Sequence, residues 1–323
     1  MLPYAAEQGG IVLNATIDRY AYATLVEDGR REVVVHSLDY NLRKEFDLEQ
    51  PPVYDGQLDL VKAAFKWLNH QHDPERLGFE LSLHTDAPPG SGLGSSSAVV
   101  VAMLSSFSAW YGISLGAYEK AHLAYVLERE ELGINGGMQD QYSATFGGFN
   151  FIEFDARGAV VNPLRISADV VNELQYSLIL CYTGGPRLSA QIIDSQISNY
   201  RAGKHDVLAA MEQLKELTVA MKNALVRGRL EDFGSLLHEA WLSKKQMADQ
   251  ITNPTVDEIY EEARKCGALG GKISGAGGGG YMYFFCPRET RHRVAARLDS
   301  MGVDLTRFAF EPQGVQTWET TAT

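Results

Sequence analysis

Pro88-Pro89-Gly90-Ser91-Gly92-Leu93-Gly94-Ser95-Ser96-Ser97-Ala98 is the stretch on which the reading of this sequence turns. Upstream, Phe79, Leu81 and Leu83 alternate with Glu80, Ser82 and His84, the period of a half-buried strand. Downstream, Ala98 to Met103 is an unbroken small and apolar run, extended by Ala109-Trp110, which predicts a buried helix. The order is therefore strand, glycine loop, helix start. Glycines remove the side chains that keep an anion off the backbone, and a helix start offers unpaired N–H groups and the positive end of its dipole. Ser95, Ser96 and Ser97 stand where N-cap residues belong. The combination predicts a phosphate cradle. It is neither common nucleotide fingerprint: the Gly-Lys-Ser/Thr ending of a P-loop is absent, and Ser95 stands where a dinucleotide fold has its third glycine. Phosphate binding then rests on backbone amides, hydroxyls, a metal and basic groups from elsewhere in the chain.

Outward from the loop, 323 residues suffice for one large or two closely joined domains, and a hydrophobic fraction of 45% supports a sizeable core. The net charge of −12 argues against nucleic acid or an anionic membrane as partner, so any phosphate site must be a local positive pocket in an acidic surface. Cys181, Cys266 and Cys286 show no metal-ligand spacing and fit a reducing compartment. No apolar run approaches a membrane span and no signal-peptide pattern opens the chain, so the expectation is a cytoplasmic protein.

The first segment, Gly10 to Asp47, reads as strand-rich, with strands at Ile11–Leu13, Tyr20–Leu25 and Glu32–His36 and a hairpin signal at Asp28-Gly29. Leu58, Val61, Phe65 and Leu68 predict an amphipathic helix over 57–71. A second helix is expected over Gly116 to Leu132, then a loop with a short helix over Gly133 to Gly148, and a strand over Phe149–Phe154. After a buried strand at Ser177–Tyr182 the pattern is helical over 188–200, 205–226, 230–250 and 255–266. A glycine run from Gly267 to Gly280, a strand at Tyr281–Phe285, a helix over 288–301 and a strand over 306–310 complete the chain. The fold class predicted is α+β in two lobes, a mixed β-rich N-terminal lobe over 1–165 and a helix-rich C-terminal lobe with a small sheet over 166–323.

The second glycine run contains a literal G-x-G-x-x-G from Gly275 to Gly280. A dinucleotide site requires a helix next, and Tyr281-Met282-Tyr283-Phe284-Phe285 reads as a strand, which disfavours a dehydrogenase. Two readings remain open: a tight turn between strands, or backbone that approaches a ligand held by the first loop.

Two such loops separated by most of the chain resemble the GHMP small-molecule kinases. Pro89 to Ser96 looks like that family's phosphate loop, Lys272 to Gly280 like its C-terminal glycine motif, and Gly136-Gly137-Met138-Gln139-Asp140-Gln141 like the loop with the catalytic aspartate of its sugar kinases. Asn14 to Tyr20, Gln139 to Tyr142 and Phe146 to Asn150 resemble the D-glycero-D-manno-heptose 7-phosphate kinase branch. Members of that branch begin with a strand and a Gly-Gly-Gly-Thr-Asp loop, whereas this sequence opens at Met1-Leu2-Pro3-Tyr4; the expectation is that it starts just past that loop.

The resemblance implies transfer of the ATP γ-phosphoryl group to the anomeric hydroxyl of a heptose 7-phosphate, with ATP and Mg2+ as cofactors. It implies that Pro89, Gly90, Ser91, Gly92, Leu93, Gly94, Ser95, Ser96 and Ser97 bind ATP, and that Asp140 orients or deprotonates the acceptor. Glu128 maps to the metal carboxylate, with Ser96 as the matching hydroxyl and Ser97 as the alternative. Asp140, Gln141, Thr183, Gly184, Arg187, Lys272, Gly275 and Gly277 are the expected substrate contacts, Arg187 through a bidentate grip on a phosphate. Kinase activity on a free hexose, or an inactive member that binds nucleotide or sugar, are the alternatives.

Overall fold

The computed structural model of the protein describes residues 2–27, 29, 32–47, 52–71, 78–184 and 189–320. Residues 2–47 contribute helix α1 (Leu2–Gln8) and strands β1 (Gly10–Ala15), β2 (Ala21–Glu27), β3 (Glu32–Ser37) and β4 (Leu42–Asp47). Next come α2 (Asp59–Gln71), β5 (Phe79–Thr85), α3 (Ser95–Tyr111), α4 (Ala117–Tyr125), a π-helical turn (Val126–Glu131) and α5 (Gln139–Phe146). Strands β6 (Phe149–Asp155) and β7 (Gly158–Pro163), helix α6 (Ala168–Ser177) and strand β8 (Leu178–Tyr182) follow. A helical block of α7 (Ser189–Arg201), α8 (His205–Val226), α9 (Leu230–Lys245) and α10 (Pro254–Lys265) precedes β9 (Gly270–Ile273), β10 (Tyr281–Phe285), α11 (Arg288–Ser300) and β11 (Asp304–Thr306). This is the mixed α and β architecture expected.

The chain packs as two compact units that alternate along the sequence. One comprises the residues up to Asp18, 90–93 and 148–310; the other comprises 19–89, 94–147 and the residues from Glu311 onward. These packing units are a different partition from a single division after residue 165.

In the second unit the sheet order is β2-β5-β3-β4. Strand β5 pairs antiparallel with β2 and parallel with β3, with Val33 opposite Phe79 and Val35 opposite Leu81. Strands β2 and β3, expected to form a hairpin across Asp28-Gly29, therefore do not pair with each other; Asp28 itself lies outside the described residues. The turn signal reads only local sequence, whereas Phe79, Leu81 and Leu83 bury one face of β5 so fully that this strand takes the sheet interior. The chain reaches it from β3 by way of β4 and helix α2. Phe65 and Leu68 of α2 and Val100, Met103, Leu104 and Phe107 of α3 close over that face as one core.

The first unit holds two antiparallel sheets, β1-β6-β7 and β11-β8-β10-β9. Strand β9 lies within the stretch read from sequence as glycine loop; Gly271 and Gly270 pair with Phe284 and Phe285 of β10. Residues 306–310, expected as a strand, give only the end of β11 and one bridge from Phe310 to Ile17. One face of the four-stranded sheet packs Ile273, Met282 and Phe284 against Trp241 and Tyr260. Helix α9 can seat on β9 only because glycines meet there: a methyl on Gly270 would overlap Gly234 O and reach 2.5 Å from His238 N.

Replacement of Gly270 by Ala is therefore expected to lower unfolding stability by about 1–3 kcal/mol, the usual range for overpacking. The urea midpoint checks it; an unchanged midpoint would contradict the close helix–strand contact. Burial also pushes the thiols of Cys181 and Cys286 up to about 12, while Cys266 is only partly buried. Since the thiolate is the reacting form, the native protein should alkylate at Cys266 alone near pH 8, and at all three cysteines once unfolded.

Candidate active site

Helix α3 starts directly from Gly94, which sits in the left-handed region at φ 77° and provides no side-chain cap. The three serines expected to cap the helix are its first three residues instead. Their hydroxyls are free for another use because the turn is made by Gly94, a conformation that costs L-residues with a Cβ about 1–2 kcal/mol. Ser96 Oγ and Ser97 Oγ both donate to the Glu128 carboxylate, Ser97 at 2.6 Å to Oε2. Ala98 N donates to Gly94 O, while the amides of the first turn have no intrahelical acceptor.

Glu128 lies in the π-helical turn rather than in the single helix expected over 116–132. A π turn carries an extra residue per cycle and so redirects side chains, which is why such turns recur at functional sites. Here it buries Glu128 to 1% exposure. The neighbouring Arg129 sets its guanidinium 3.6 Å from Glu128 Oε1, in space that any side chain on Gly136 would occupy.

Helix α5 supplies the remaining groups. Gln141, expected as a substrate contact, is fully buried and donates from Nε2 to Glu128 Oε2 at 2.5 Å. Asp140 precedes it and faces Gly94: a Cβ on Gly94 would stand 3.2 Å from Asp140 Cβ and 3.4 Å from Oδ1. Gln139 Nε2 donates to Asp140 Oδ1 at 3.1 Å. Sequence spacing gave no sign that Ser97 and Gln141 serve Glu128, since the two residues are 31 and 13 positions away from it and the pattern shows only polar residues near glycines.

In the other unit, the loop segment 90–93 is held by the second glycine run. Ser274 Oγ donates to Gly92 O at 2.9 Å and Tyr281 N to Ser91 O at 3.0 Å. The run is itself supported by Lys244, a buried lysine of α9 whose ammonium donates to the carbonyls of Ile273 and Gly275. Lys244 escaped sequence reading because a lysine in a helical pattern reads as a solvated face. Gly275 is exposed, while Gly277 packs against the Ile251 backbone. Thr183 donates from N and Oγ1 to Gly280 O, so it and Gly184 adjoin the end of the same run. Lys272 sits on β9 opposite Tyr283, densely surrounded by protein, and this desolvation pushes its ammonium below the ordinary lysine range. Arg187 lies outside the described residues.

The donors around Glu128 suit a hard cation. Mg2+ takes oxygen ligands and needs few from protein, because it retains water and substrate phosphate oxygens. The Glu128 carboxylate and the Ser96 and Ser97 hydroxyls are all oxygen donors, and Gln141 Oε1 beside them is a buried acceptor without a partner among the described residues.

Residues 59–148 match the GHMP kinases N terminal domain and residues 221–304 the GHMP kinases C terminal domain. D-glycero-alpha-D-manno-heptose 7-phosphate kinase from Campylobacter jejuni is 37% identical over 316 residues, spanning 98% of this chain and 93% of that protein. L-fucokinase/L-fucose-1-P guanylyltransferase from Bacteroides fragilis is 31% identical, over 87% of this chain and 32% of that protein. Among solved structures, a D-glycero-D-manno-heptose 1-phosphate kinase from Bacteroides thetaiotaomicron superposes with a TM-score of 0.82 at 31% identity, covering 100% of this chain and 94% of that one. With both halves of the family matched, and a likeness that runs through both glycine loops, the chain belongs to the GHMP kinases and is a phosphotransferase acting on an alcohol group.

Proposed function

We propose that this kinase transfers the ATP γ-phosphoryl group to the anomeric hydroxyl of a D-glycero-D-manno-heptose 7-phosphate. The observation that carries the reading is the contact of Asp140 with Gly94, which sets a carboxylate beside the head of a helix whose first amides lack intrahelical partners. Phosphoryl transfer requires little covalent chemistry from protein and depends on positioning and charge stabilisation. The backbone of Gly90 to Gly94 and the amides of Ser95 to Ser97 would cradle the phosphates at the positive end of the 17-residue helix α3. Asp140 would align the acceptor hydroxyl and take its proton as the new P–O bond forms. Glu128 with Ser96 or Ser97 would hold Mg2+, which when bound neutralises phosphate charge; Gln141 keeps the carboxylate oriented.

Thr183, Gly184, Arg187, Lys272, Gly275 and Gly277 are proposed for the acceptor side. Burial disfavours the charged form of Lys272, and a substrate anion beside it would offset that cost, which supports a phosphorylated acceptor. The names of the heptose phosphate kinases similar to the chain support the same acceptor class. A second reading, phosphorylation of a free deoxyhexose, draws on the likeness to the L-fucokinase.

Coupled ADP-release assays separate the two. D-glycero-D-manno-heptose 7-phosphate is expected to give the highest kcat/KM and to yield an anomeric phosphate ester by 31P NMR. Higher kcat/KM with L-fucose would overturn the reading. Asp140→Asn keeps shape and hydrogen bonding but loses the charge, so kcat should drop by roughly 10²–10⁴-fold with both KM values little changed. Near-full turnover in a folded Asp140→Asn variant would make Asp140 a structural residue only.

A further inference from the structure

Helix α5 spans only eight residues, about two turns, a length that has no stability of its own in water. Its direction, and with it that of Asp140, is set by its packing along α3 and α4, where Tyr118 meets Tyr142 and Phe146, together with what holds its two ends. The N-terminal end is fixed by Asp140 against Gly94 and by Gln141 on Glu128. The C-terminal end is fixed by a segment of the chain with no regular secondary structure, residues 311–320.

That segment crosses the end of α5 backbone against backbone. Gly147 ends the helix at φ 66°, and a side chain on it would overlap the peptide linking Gln313 to Gly314. The reverse also holds: a side chain on Gly314 would overlap Thr145 O and lie 2.7 Å from the Phe146 carbonyl carbon. Two glycines more than 160 positions apart thus face the same crossing from opposite sides. Val315 N donates to Thr145 O at 3.3 Å, which satisfies one of the carbonyls that a helix end leaves open. The Val315 side chain packs with Ala144 of α5 against the core of the unit. At its start the segment is anchored by Tyr20 Oη, which donates to Glu311 Oε2 at 2.5 Å.

We infer that residues 311–315 form a strap that positions Asp140 for phosphoryl transfer, with Gly314 as its positioning residue. The inference rests on the proposed role of Asp140. A helix clamped at both ends transmits displacement at one end to the other, because two turns contain no joint to absorb it. A methyl on Gly314 would push the C-terminal end of α5 away and turn the carboxylate out of line with the acceptor hydroxyl. Misplacement of a reacting group by about 1 Å can cost on the order of 10²-fold in rate, whereas phosphate-loop binding of ATP involves no atom of the strap.

A double-mutant cycle tests this. Gly314→Ala in the otherwise native chain should lower kcat by roughly tenfold or more, with KM for ATP unchanged. In an Asp140→Asn background the same substitution should lower the residual kcat by less than about twofold, since the group being positioned has already lost its function. A merely structural strap would give equal factors in both backgrounds, and that result, or full kcat in folded Gly314→Ala, would overturn the inference. If Gly314→Ala shows no cooperative unfolding, Val315→Ala replaces it in the same cycle, with the same two outcomes at smaller amplitude. Full turnover in Asp140→Asn alone would instead refute the role of Asp140, and is read separately from the cycle.

Discussion

The second unit is organised around one buried carboxylate. Glu128 is almost completely removed from water, and an uncompensated charge in that position would cost several kcal/mol. It is compensated from three directions: two hydroxyls from the first turn of α3, the Gln141 amide from α5, and the Arg129 guanidinium alongside. Each of those donors is thereby fixed. Helix α3, the π turn and helix α5 are locked together by the need to satisfy a single side chain, and loss of one hydrogen-bond partner of a buried group is typically worth about 1–3 kcal/mol. The same saturation presents hard oxygen donors together, which is the chemistry that a magnesium-nucleotide complex requires.

The first unit solves a different problem, how to hold glycine-rich backbone in one shape. Glycine has the most conformational entropy to lose, so a run such as Gly277 to Gly280 does not order itself. Here the neighbours order it. Lys244 takes two of its flanking carbonyls from below, Thr183 takes the carbonyl of Gly280, and Ser274 and Tyr281 bond onward to Gly92 and Ser91. The second glycine run is thus a frame for segment 90–93 of the first. Of the two readings open from the sequence, the tight strand connection is what the run forms between β9 and β10, and its flanking residues also contact the first loop.

Local pattern carried much of the fold into view. The strand, loop and helix around Gly94, the aromatic strand β10 and the long helical block were legible because each has its own periodicity. What escaped was decided by distant partners. Strand β9 is half glycine and becomes a strand only by pairing with β10; β3 skips its sequence neighbour β2 because β5 is the better-buried strand. Asp140, Glu128 and the serines were singled out by motif, but their arrangement was not. Serines that look like caps turn out to be ligands of a carboxylate, a glutamine that looks like a sugar contact supports the same carboxylate, and Lys244 passes for surface. A linear pattern records residue types; it does not record which buried charge they must satisfy.

The central claim is that the Glu128 carboxylate, held by Ser96, Ser97 and Gln141, forms the metal-binding corner of the phosphate site. The most direct measurement is the Mg2+ dependence of steady-state turnover in the wild type and in Glu128→Gln, with folding of the variant verified by its unfolding midpoint. The account predicts that excess chelator abolishes wild-type turnover and that added Mg2+ restores it. Glu128→Gln should need a markedly higher Mg2+ concentration and reach a lower kcat, while KM for the sugar acceptor stays close to that of the wild type. Turnover that persists in excess chelator, or a Glu128→Gln variant with unaltered Mg2+ dependence, would contradict it.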